Sequence, residues 1–245
     1  MTEYTLALAL EDYIPVIFSS MGLYFISRMV GRADGRLGQM ATIGWILITT
    51  GGFLKATWKL MMAVSGAQTD IVWMDKGMFV WMAAGFTLVA FAVWFMSEAR
   101  EGKRPQRVWL GPGLVLALSL AAISFTGFPD PAVNSWRFIL LGVMTIGNVV
   151  LVVLLIQQAR RLGLNKMALL FLANIVIVFI LSGLARIPDQ TIPLQWTEQL
   201  LNTFAQGAFA FAAWKLAAAA DRRPQTADGV QESLLAVGGQ PSAVE

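Results

Sequence analysis

Residues 13–30, 40–62, 73–96, 108–126, 136–157, 167–187 and 196–218 are apolar segments with few charges. Each is close to the roughly 20 residues that a helix needs to cross a bilayer. No other feature constrains the fold as strongly, because in lipid a helix satisfies all its backbone N–H and C=O groups internally. Composition agrees: 57% of the 245 residues are hydrophobic and 13% charged, whereas soluble domains carry about 25% charged residues. The sequence therefore predicts an all-α, polytopic membrane protein whose seven transmembrane helices occupy residues 1–220. The segments between the spans, such as 31–36, 100–105, 127–131 and 188–193, are polar and rich in turn residues. After Ala220 the chain turns small and polar, and residues 221–245 read as a disordered cytoplasmic tail.

Lysine and arginine set the expected orientation. Thirteen of them, including Arg28, Arg32, Arg36, Arg100, Arg160 and Arg161, fall on one side of the span order, and five (Lys55, Lys59, Lys76, Arg137, Arg186) on the other. The positive-inside rule places the first set in the cytoplasm, with the N-terminus outside and the C-terminus inside, in a multi-pass protein of the cell (inner or plasma) membrane. Glu3, Glu11 and Asp12 precede the first span where a signal peptide would carry positive charge, so that span reads as retained. Tryptophans 58, 73, 136 and 196 mark one interface and 94, 109 and 214 the other, while Trp45 and Trp81 fall mid-membrane. The basic excess is thus a topology signal. It favours anionic lipid headgroups as neighbours and gives no basic soluble face for nucleic acid.

The chain has no cysteine and no histidine. That excludes disulfides, thiolate or imidazole metal sites, and Cys- or His-based nucleophilic catalysis. No cofactor is expected. Lys215 in the last span sits beside Trp214 near the cytoplasmic end, too shallow and too far from a carboxylate for a retinal Schiff base.

Two pairs of spans align without gaps. In spans 2 and 6, Leu37, Met40 and Ala41 match Leu164, Met167 and Ala168, and Lys59 falls on Arg186. In spans 3 and 7, Trp73 matches Trp196 and Phe86 matches Phe209. The alignment suggests a parallel 3+1+3 repeat with span 4 as linker, a symmetry that recurs in secondary transporters. The layout is similar to that of sugar-efflux and PQ-loop transporters in topology and length only. Their Pro-Gln pairs are absent, since Val16 follows Pro15 and span 5 has no proline.

Ionisable residues within spans carry a cost and so point to a role. They gather at the outer ends: Glu11 and Asp12 at span 1, Lys55 and Lys59 in span 2, Asp75 in span 3, Arg186 at the end of span 6 and Glu198 at the start of span 7. Lys55 and Lys59 share one helical face, so acids are expected opposite them. The repeat alignment pairs Lys59 with Asp75 and Arg186 with Glu198. Thr50, Asn148, Asn174, Asn202 and Gln206 lie deeper and would line a pathway, although such residues also serve as glue between helices. Gly51 and Gly52 precede Lys55 and suggest either close packing or a hinge. The small residues of span 7, from Gly207 to Ala217, suggest close packing or a dimer face.

These features suggest an integral membrane protein that binds or translocates a small solute or ion through an outward-opening polar cavity between helix triplets. The alternative is a sensor or accessory subunit whose charged outer rim and small-residue span 7 bind another membrane protein or a second copy, with a dry, packed centre and a partner that copurifies. An enzyme ranks below both, because no nucleophile–base motif is present.

Overall fold

The structure is a computed structural model that describes residues 5–66, 68–101, 103, 106–130, 132–188 and 191–222. Most of the expected tail lies outside the described residues. Among the described residues there are nine α-helices and no strands: α1 (Leu6–Glu11), α2 (Tyr13–Ala33), α3 (Gly35–Val64), α4 (Val72–Lys76), α5 (Met78–Arg100), α6 (Leu110–Ser124), α7 (Ser135–Arg161), α8 (Asn165–Leu184) and α9 (Ile192–Asp221). Each of the seven apolar segments falls on a helix. The extra two arise where a span is broken. Pro15 lacks the N–H that would continue the ladder to Glu11, and the helix bends at Asp12. Gly77 separates α4 from α5.

Five segments, Leu6–Ala33, Gly35–Val64, Val72–Arg100, Ser135–Arg161 and Asn165–Leu184, are long and apolar enough to cross a membrane. The other two depart from the sequence expectation for different reasons. At 15 residues, α6 reaches only about 22 Å, short of a hydrocarbon layer of about 30 Å. By contrast α9 has 30 residues, but Gln195, Glu198, Gln199, Asn202 and Gln206 dilute its apolar character.

The expected break at 31–36 shrinks to one non-helical residue, Asp34. It caps α3, its Oδ1 accepting from the Arg36 backbone N–H at 2.8 Å and its Oδ2 from the Arg36 guanidinium at 3.2 Å. The guanidinium bond, more than the backbone one, holds the Asp34 carboxyl below the usual carboxylate range.

Packing closes six helices into a ring in the order α2, α3, α5, α7, α8, α9 and back to α2, with α6 outside against α5 and α7. One large apolar core joins the C-terminal halves of α2, α5, α7 and α9 to the N-terminal halves of α3 and α8. Members such as Met29, Leu37, Met96, Leu155, Phe171 and Leu216 make a dry plug at that end of the ring. Gln158, 2% exposed, ties the plug together by donating to Ser97 Oγ at 2.7 Å and accepting from Arg100 at 2.9 Å.

Glycine lets the helices approach closely. A Cβ on Gly44 would stand 2.7 Å from the Gly85 carbonyl, and one on Gly85 would stand 2.7 Å from that of Gly44. The Gly51–Gly52 pair follows the same rule: Gly51 faces Met82 and Gly52 faces Val16, while α3 runs through both unbroken. Close packing therefore explains the pair. The small residues of α9 also turn inward, with Ala205, Ala210, Ala212, Ala213 and Ala217 buried. Leu200, Phe204, Phe211 and Trp214 occupy its exposed side.

Candidate functional site

Beyond the plug the ring holds a cavity of about 480 Å³ to which all six ring helices contribute. Its wall runs along α2 from Asp12 at the mouth to Leu23 at the floor, about 16 Å at the helical rise of about 1.5 Å per residue. Phe86, Phe209, Ile48 and Asn174 lie at the depth of Leu23. The cavity thus ends about half way through a hydrocarbon layer of about 30 Å. Its mouth opens at the end formed by the C-terminus of α3 and the N-terminus of α9.

The charged residues expected at this end come together in a different pairing. Lys59 Nζ lies 2.6 Å from Asp12 Oδ2, an ion pair lying off the hydrogen-bond axis. Lys55 is bonded to Asp75, and its ammonium stands 4.1 Å from the Trp58 ring centroid. The expected Lys59–Asp75 pair is therefore corrected. The bend between α1 and α2 carries Asp12 over the last turns of α3, and Asp75 on α4 meets the lysine one turn deeper. Asp12 also accepts from Gln199, and Glu11 accepts from Thr203, which fastens the head of α2 to α9.

The second expected pair does not form. Arg186 lies in the exposed turn after α8, and no ion pair joins it to Glu198 among the described residues. Because α9 starts at Ile192, Glu198 is two turns inside the helix and faces the cavity. One of its carboxylate oxygens is buried without a hydrogen-bond partner.

Asn148, Asn174, Asn202 and Gln206 all border the cavity, as do Asp12, Lys55 and Lys59. Thr50 does not. The α3 positions on the wall are Ile48, Gly52, Lys55, Ala56 and Lys59, and at about 3.6 residues per turn Thr50 points away from that face. Asp75 and Glu11 stand just behind the wall rather than on it. Trp45 is accounted for locally: its Nε1 donates to Ser20 Oγ at 2.9 Å and its ring packs on Tyr24. Trp136, expected at an interface, is buried against Trp73 and Phe128. Gln199, Thr203, Thr145 and Ser182 do not stand out in the sequence as site residues. The i, i+4 spacing of 198, 202 and 206 and of 199 and 203 was the available signal for two of them.

The cavity is mostly apolar, with a few polar groups converging near its mouth and floor, as is usual for sites that hold small ligands. Comparison with known proteins returns no matching family model, no matching curated protein and no matching solved structure.

Proposed function

We propose that the chain binds and translocates a small solute or ion across the cell membrane, in which it sits with seven spans, N-terminus outside and C-terminus inside. The observation that carries this reading is the cavity itself, enclosed by six helices, polar at its mouth and stopped by a dry plug. The 13-to-5 lysine and arginine bias supports a mouth that opens outward. The ring order supports the parallel 3+1+3 repeat. Exchanging α2, α3 and α5 with α7, α8 and α9 leaves every ring contact in place, and the aligned residues Phe86 and Phe209 both reach the cavity floor. The accessory-subunit reading calls for a dry, packed centre, which a cavity of about 480 Å³ inside the ring does not favour.

The test is thermal unfolding of the purified protein with a panel of sugars, amino acids, organic cations, organic anions and inorganic ions. A ligand at about 100 times its dissociation constant adds about 2.7 kcal/mol to the native state. At least one solute class should stabilise the wild type, and Asn202→Leu, which places hydrocarbon in the cavity, should lose that response. A panel without any response, or one that Asn202→Leu reproduces in full, would refute the reading.

A further inference from the structure

Charge around the cavity does not balance. Among the described residues Lys55 and Lys59 border it, and both are held by carboxylates, Lys55 by Asp75 and Lys59 by Asp12 at 2.6 Å. Glu198 borders it as well, yet among the described residues no cation pairs with it and one of its oxygens is buried without a partner. Glu11, behind the wall, has a second such oxygen. An anion entering the cavity would have to displace an aspartate from its lysine. A cation would meet a carboxylate that no lysine or arginine of the described residues holds, which relieves the cost of leaving that group uncompensated in a low-dielectric site.

The deeper wall indicates what the cation must carry. Asn174, 3% exposed, donates through Nδ2 to the Ala205 carbonyl at 3.0 Å, and its Oδ1 accepts no hydrogen bond from the described residues. That acceptor lies about 10 Å beyond Glu198, judged by the rise of α9 from 198 to 205. Between them the wall is mixed, with Met78, Met82, Phe86 and Phe209 beside the amides of Asn148 and Asn202. Ring faces attract organic ammonium groups, while a bare inorganic ion would leave the methionine and phenylalanine side chains of the wall without a partner. No group of three acidic side chains placed to hold a metal occurs among the described residues. A volume of about 480 Å³ also falls in the range of organic ligands, about 300–1,000 Å³.

We infer that the cavity takes a small organic cation, an ammonium group on a hydrocarbon or aromatic body, with Glu198 as its counter-charge and Asn174 Oδ1 as an acceptor at the far end. This deepens the solute-binding reading of the same cavity and rests on it. The test uses three probes of one shape, 2-phenylethylammonium, 2-phenylethanol and phenylacetate, with binding to the purified protein measured by calorimetry. The cation should bind about tenfold or more tightly than the other two, and Glu198→Gln should weaken it by a similar factor.

Tighter binding of phenylacetate or phenylethanol, or cation binding unchanged by Glu198→Gln, overturns the inference. The wild-type selectivity decides by itself should the variant fail to fold. If only neutral or anionic solutes of the wider panel stabilise the protein, the charge assignment falls and the binding cavity stands. If no solute of any charge does so, both fall.

Discussion

Asp12 holds three elements together at the mouth of the cavity. It ends the bend before α2, pairs with Lys59 of α3 at 2.6 Å and accepts from Gln199 of α9. Breaking a largely buried pair from one side strands the other charge, whereas replacing both partners is far milder. Lys59→Met should therefore destabilise the protein by about 2 kcal/mol, somewhat less than a fully buried pair because the mouth is partly wet. The double change Lys59→Met with Asp12→Asn should recover most of that loss. Unfolding midpoints of the three proteins check this, and a single variant as stable as the wild type would show the pair to be screened. Which polar residues border the cavity was largely legible here, since Asn148, Asn174, Asn202 and Gln206 stand out in apolar helices. Which partner each charge takes was not, because that depends on how far the bend at Asp12 and the short α4 carry their carboxylates over α3.

The helices α3 and α5 cross where Gly44 and Gly85 face each other. A methyl at Gly85 would come within 2.5 Å of the Ile48 side chain and 2.7 Å of the Gly44 carbonyl, and the backbone carbonyl has no room to yield. Gly85→Ala should cost about 2 kcal/mol through overpacking. Gly142→Ala, with nothing within 4 Å of the added atom, should leave stability unchanged or slightly raised. Thermal unfolding of both variants decides it, and equal behaviour would mean that the two helices do not cross this closely. Hydrophobic runs made all seven helical segments legible, yet they underestimated several ends. At α3 and α9 the apolar signal fades into Arg36 and Asp221 while the hydrogen-bond ladder continues. The weak apolar character of α9 reflects its place in the molecule, since this helix supplies Glu198, Gln199, Asn202 and Gln206 to the cavity wall.

At the scale of the molecule, the ring and its plug predict two depths of access. The chain has no cysteine of its own, so single cysteines report without background. Ser182→Cys and Asn202→Cys on the cavity wall should react with a membrane-impermeant maleimide added outside intact cells, and Ala159→Cys in the plug should not. Labelling of the wall positions only after the cells are opened would reverse the orientation, and labelling of Ala159→Cys would show the plug to be wet. Ring closure could not be read in advance, because α2 and α9 meet at opposite ends of the sequence. The peripheral seat of α6 left a trace, in that its span carries no ionisable residue. The abrupt floor of the cavity also has an electrical consequence. Water filling the mouth would carry the bulk potential down to Asn174, so nearly all of the membrane voltage would fall across the plug. A single positive charge resting at the floor would then face about 2.3 kcal/mol for every 100 mV, and its passage through the plug would register as current.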